Sequence, residues 1–201
     1  MPAPKIMIIR HAEKPTTSPP AAGVTVSGTP DPDSLIVRGW QRAGALVPFF
    51  IPASGLPQRP GIATPQFLYA TETDDVNGNR PQETIAPLAA KLGLTPTLIL
   101  KTPVKPGWAY EELISSAMSS DGIVLICWPH GEIPSLTYFI PLSVNNKNPI
   151  QGDWSWPSDR FDVVFVFDLD TSPGGSGYLF TQVPQLLLDL DSSAPIQTNG
   201  Q

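Results

Sequence analysis

Ile6-Met7-Ile8-Ile9-Arg10-His11-Ala12-Glu13 and Leu125-Ile126-Cys127-Trp128-Pro129-His130-Gly131-Glu132 are built alike: an apolar run without polar alternation, then a histidine, then a carboxylate two residues further on. A run of this kind reads as a strand covered on both faces. Similar runs occur at 67–70, 98–100 and 163–167, and the second run extends over 123–128. Between them, 35–50, 81–92 and 110–118 carry apolar residues at helical spacing, with Pro81 suited to a first helical turn. Strand and helix therefore alternate, which predicts an α/β fold around a mostly parallel sheet. Ligands of such sheets gather beyond the carboxyl ends of the strands. If the two histidine-bearing strands are parallel, His11 and His130, the only histidines of the chain, emerge on one edge and can face each other.

The 201 residues suit one domain, expected over 1–191, with a small polar tail at 192–201 expected to be flexible. At 41% hydrophobic and 15% charged residues the chain can bury a core and lacks the composition of disorder. Its 25 prolines fall mostly in loops at 15–32, 52–65, 102–107 and 145–157, so long loops are expected. A net charge of −6 gives no general field for nucleic acid, so any anion site must be built locally. Cys127, the single cysteine, reads as a buried small hydrophobe. Gly174-Gly175-Ser176-Gly177 reads as a hairpin turn before a short strand at 178–181 rather than a phosphate-cradling loop. No apolar run has the length of a membrane span or of a signal-peptide core, and the expected location is cytoplasmic, with no membrane partner.

Arginines stand where an anion would need them. Arg10 adjoins His11, and Arg80 precedes Pro81-Gln82-Glu83-Thr84 at an expected helix start, where free N–H groups and the dipole already favour negative charge. Guanidinium forks match phosphate oxygens. Two arginines and two histidines, without a cysteine pair or a carboxylate cluster, point to phosphate; neither a metal nor another cofactor is expected. The competing reading of each histidine is a satisfied surface residue.

Arg10-His11-Ala12-Glu13, Leu35-Ile36-Val37-Arg38-Gly39-Trp40-Gln41-Arg42-Ala43, Tyr69-Ala70-Thr71, Arg80-Pro81-Gln82-Glu83-Thr84 and the 125–131 stretch with His130 follow one another over roughly residues 5–140. In that order they resemble the histidine phosphatase superfamily, the phosphoglycerate mutase-like proteins. The resemblance implies a three-layer α/β/α sandwich. It also implies a metal-independent phosphatase acting on a small phosphomonoester: His11 is the nucleophile that becomes phosphohistidine, Arg10 and Arg80 hold the phosphoryl oxygens, and His130 donates to them. His11 then needs a free lone pair, its other ring nitrogen committed to a backbone acceptor.

The source of the leaving-group proton is open in the sequence. His130-Gly131-Glu132 resembles the form in which the acid follows the second histidine, which favours Glu132 as a catalytic residue over Glu111. Glu13 is a further carboxylate in reach, able to orient Arg10 or Arg80. Arg38 and Arg42 lie four apart on one helix face, and the resemblance implies packing and hydrogen bonding behind the site for them. Thr16, Thr17 and Ser18 lie where relatives place a neutral phosphate donor, and the bulk of Trp128-Pro129 is expected to restrict the pocket. Trp154, Trp156 and Phe161 read as a packing cluster. A phosphohistidine protein phosphatase in signalling and a non-catalytic module binding phosphorylated ligands are the alternative functions, and a mutase ranks below them.

Overall fold

A computed structural model describes residues 2–73, 78–99, 108–148, 150 and 152–198. The expected loop at 102–107 and residue 100 of the expected 98–100 strand lie outside the described residues. The elements run β1 (Lys5–Arg10), β2 (Thr16–Thr17), β3 (Pro20–Ala21), α1 (Val37–Phe50), β4 (Phe67–Thr71), α2 (Arg80–Leu92), β5 (Thr97–Ile99), α3 (Trp108–Ser119), β6 (Val124–Trp128), α4 (Ile133–Tyr138), β7 (Val163–Leu169) and β8 (Tyr178–Pro184), with one 3-10 turn at His130–Glu132. Each expected strand and helix is present within a few residues of its expected bounds.

Among the described residues six strands form one mixed sheet in the order β5-β4-β6-β1-β7-β8, and β2 pairs only with β3. β5, β4, β6 and β1 are mutually parallel; β7 runs antiparallel to β1, and β8 returns antiparallel to β7 through the 174–177 turn. The chain is thus an α/β protein with a mostly parallel sheet and, among the described residues, four helices. Central β1 and β6 are covered on both faces, as their unbroken apolar runs require. Short, exposed β5 and alternating β8 form the two edges.

Side chains of β1 divide between two apolar clusters, because successive residues of a strand point to opposite faces. Ile6 and Ile8 join Leu113, Ile114 and Ala117 of α3 and Ile133 and Leu136 of α4. Met7 and Ile9 join Leu46, Phe49 and Phe50 of α1 and Ile85 and Leu88 of α2. Cys127 is fully buried in the second cluster, and burial pushes its thiol far up, so it behaves as a hydrophobe. Trp128 is fully buried in the first cluster. Its bulk therefore fills the core and does not narrow a pocket, contrary to the expectation from sequence.

Two glycines bring backbone close at the sheet edge. A Cβ on Gly39 of α1 would lie 2.5 Å from the Glu13 carbonyl, so α1 packs directly on the chain that follows His11. Gly78, at φ +55°, passes as close to Asp33 and lets the start of α2 sit on the 31–34 segment.

Residues 192–198, expected to be a flexible tail, make hydrogen bonds to the body of the domain. Ser192 N–H donates to Asp162, Gln182 and Ile196 exchange two hydrogen bonds of 2.8 Å, and Ile196 is buried. The physical reason is that Gln182 on the open edge of β8 offers amide groups that the tail backbone can satisfy.

Candidate active site

The parallel register Arg10↔Trp128 ends β1 and β6 together. The chain then leaves β1 for α1, packed in one cluster, and leaves β6 for α4, packed in the other. Adjacent strands whose following helices depart to opposite faces open a crevice at their carboxyl ends. His11 and His130 both stand there. The His11 N–H extends the ladder by one bond, to Trp128 O at 3.2 Å. The two imidazoles are 6.3 Å apart at 82°, edge to face.

His11 is almost completely buried, and its Nδ1 lies 2.7 Å from Ala12 O. That contact requires the proton on Nδ1, which leaves the lone pair on Nε2, as a nucleophile needs. Burial, and after it the charge of Arg10, brings the His11 pKa down to about 3; the Ala12 contact opposes the shift, and Arg80 and His130 add to it. His11 is neutral at any ordinary pH. His130 is half-buried and is lowered to about 4 by burial, then by Arg10 and Lys14. An anion between these groups would reverse the sign of the charge facing His130 and raise its pKa.

Thr84 ties the loop after His11 to α2. Its Oγ1 accepts from Ala12 N–H at 2.8 Å and donates to Arg80 O at 2.7 Å, so the chain after His11 and the first residue of α2 share one hydroxyl. Arg80 donates from Nη2 to Pro32 O at 2.8 Å, with an Asp33 carboxylate oxygen 4.0 Å away, while its Nε is buried without an acceptor. Arg10 is buried as well. Its Nη1 donates to Ser158 O, Arg160 O and Pro157 O at 2.8, 3.0 and 3.3 Å, and its Nε and Nη2 are buried without an acceptor. Burial lowers Arg10 to about 9, against the pull of Glu13 and Asp159, so it stays a cation at neutral pH. A buried guanidinium N–H without a partner costs free energy that an anion would restore.

His11 and His130 face each other across 6.3 Å, Arg10 and His11 share the Phe161 ring, and the Ala12 N–H and Arg80 O meet on Thr84. The structure gives the carboxylates other company. Glu13 does not orient Arg10 or Arg80 by direct contact: Arg42 holds it from Nη2 at 2.8 Å and Nε at 3.1 Å, and Arg38 from Nε at 3.3 Å. Arg42 also reaches Asp191 at 2.7 Å and Gln185 at 3.0 Å. Both arginines therefore hold carboxylates behind His11, as the resemblance implied. Glu132 accepts from Trp128 Nε1 at 3.0 Å and from the Tyr110 phenol, whose pKa burial and then Glu132 push up to about 12. Glu111 lines a groove on α3 with Pro2, Ile114 and Met118. Thr16 donates to Pro19 O and, like Thr17, is exposed in the β2–β3 hairpin. Among the described residues no three His, Cys, Asp or Glu side chains converge as metal ligands do, and no helix is long and apolar enough to cross a membrane.

Two residues at the site escaped the sequence reading. Lys14 is partly buried; burial, then Arg10 and Arg80, lower its pKa, and it in turn lowers His130, so it adds a third cation to the crevice. Its place three residues after His11 was the available signal, masked because a lysine before a proline reads as a solvated loop residue. Phe161 lies with its ring centroid 3.7 Å from Arg10 Cζ and 6.2 Å from the His11 ring. Trp154 and Trp156 do pack together on Phe165, at 5.6 and 4.8 Å, and Phe161 parts from them.

Compared with protein-family models and with curated proteins, the chain matches none.

Proposed function

We propose that this protein is a metal-independent phosphatase of the histidine phosphatase kind, a three-layer α/β/α sandwich of phosphoglycerate mutase-like form that hydrolyses a small phosphomonoester in the cytoplasm. One observation carries the reading: a buried, neutral His11 with Nδ1 committed to Ala12 O stands among two buried arginines that keep N–H groups without acceptors. A phosphoryl group supplies three oxygens to such donors and an electrophile to His11.

In the first step Nε2 of His11 bonds to phosphorus as the ester P–O bond breaks, and the leaving oxygen takes a proton. In the second, water attacks the phosphohistidine and releases phosphate, restoring the imidazole. Arg10 and Arg80 hold the transferring oxygens through both steps. His130, protonated once the dianion is bound, adds a donor to them. Glu132 is the proposed proton donor. Its bonds to Trp128 and Tyr110 favour, as the second reading, donors whose leaving group needs little protonation, such as phosphohistidine in a signalling protein.

The test is hydrolysis of an activated aryl phosphate with and without chelator and vanadate, beside acid-quenched trapping of labelled phosphate on the wild type and His11→Ala. Vanadate-sensitive, chelator-resistant turnover with label lost in the variant supports the reading. Turnover unchanged in His11→Ala overturns it, and tight phosphate binding without turnover by the wild type identifies a binding module.

A further inference from the structure

We infer that Phe161 is a positioning residue that sets the Arg10 guanidinium for a tetrahedral oxyanion. The inference rests on the reading of Arg10 as a phosphoryl-binding group. Both hydrogens of Arg10 Nη1 are taken by the carbonyls of the 157–160 segment. One face of the guanidinium is covered by the Phe161 ring, 3.7 Å from Cζ, where the negative face of the ring attracts the cation. What remains is the edge formed by Nε and Nη2, the two atoms buried without acceptors. That edge is the two-point fork that matches adjacent oxygens of phosphate or carboxylate. One five-residue segment thus occupies the far edge and a face of Arg10 and leaves the fork for the ligand. The same ring contacts His11, so fork and nucleophile are referenced to one side chain. The segment is itself anchored: Trp156 Nε1 donates to Arg160 O at 2.8 Å, and Arg160 donates to Asp162 and to Ala194 O, both at 2.8 Å.

Calorimetric titration with inorganic phosphate and with vanadate tests this without requiring turnover. The probes are the wild type, Phe161→Leu, Phe161→Met, Phe161→Tyr, Arg10→Gln, and Arg10→Gln combined with Phe161→Leu, each checked for an intact melting transition. The expected result is binding about 5–30-fold weaker in whichever of the Leu and Met variants folds, the range a desolvated cation–π contact supplies. Phe161→Tyr, which keeps the ring, should bind as the wild type does, and in the Arg10→Gln background Phe161→Leu should have no further effect. Equal affinity of the Leu or Met variant and the wild type overturns the inference and leaves the proposed function standing. So does failure of Phe161→Tyr to restore binding, or an equal loss in the Arg10→Gln background, which assigns the ring to packing alone. A wild type that binds neither anion overturns both readings.

Discussion

Asp191 and Arg42, 149 residues apart in the chain, meet through two hydrogen bonds of 2.7 and 3.1 Å, and the same guanidinium holds Glu13, two residues after His11. The segment after β8 is therefore joined to the loop after His11 through one buried cation. Burial alone would lower the Arg42 pKa; the bonds to Asp191 and Glu13 outweigh it and hold it above its ordinary value. Removing the cation strands two buried carboxylates. Arg42→Ala should cost about 3–5 kcal/mol by equilibrium denaturation. Arg38→Ala, losing a partly exposed guanidinium, should cost no more than about 1 kcal/mol. Similar losses for the two would show that the Glu13–Arg42–Asp191 set does not act as a buried unit.

Mild acid should destabilise the free protein through its histidines. His11, at about 3 in the folded state, binds its proton near 6.5 once unfolded. Between those values the unfolded chain holds more protons, so stability is fully present above about pH 6.5 and is lost progressively as pH falls through that window. His130, lowered to about 4, adds a change of the same sign. Urea unfolding at pH 7 and pH 5 should show a loss of about 2 kcal/mol from His11, and His11→Asn should shrink the difference. A stability independent of pH over that range would contradict the neutral, buried imidazole.

Bound phosphate should change the same measurements in the opposite direction. At the proposed site it would give the N–H groups of Arg10 and Arg80 that lack acceptors their partners and would favour protonated His130. A ligand at a hundred times its Kd stabilises by about 2.7 kcal/mol, so phosphate or vanadate at that level should raise Tm by about 5–10 °C for a chain of this length. Arg10→Gln and Arg80→Gln should each lose most of the shift. An equal rise in those variants would mean that the anion binds elsewhere.

What was legible in the sequence followed short-range physics. Apolar runs predicted β1, β4, β6 and β7 because strands buried on both faces need no polar alternation, and parallel pairing then placed His11 beside His130. The first turn of α2 was legible from Arg80-Pro81. Contacts closed across long separations were not. Phe161 reaches Arg10 only because the 157–161 segment folds back over the end of β1, and the 192–198 tail meets an amide on β8 that its own polar composition does not reveal. The side chain of Glu132 likewise depends on Tyr110, whose position on α3 no local pattern ties to the histidine motif.

That last contact makes Glu132 the residue on which the proposed protonation of the leaving group turns. A carboxylate accepting from Trp128 Nε1 and the Tyr110 phenol can serve as the acid only if it takes a proton and faces the departing oxygen, breaking at least one of those bonds. General-acid catalysis contributes on the order of 10²–10⁴ when the leaving group is poor and little when it is good. If Glu132 is the donor, Glu132→Gln should lower kcat on an alkyl phosphate by about 10²-fold or more while leaving a nitrophenyl phosphate nearly unaffected. Tyr110→Phe, which frees one oxygen of the carboxylate, should leave the alkyl phosphate rate intact or raise it. Equal losses on both substrates in Glu132→Gln would instead assign the carboxylate to fixing Trp128 and the His130 turn. Under the proposed function, the substrate would then be a phosphoryl donor whose leaving group departs without protonation by Glu132.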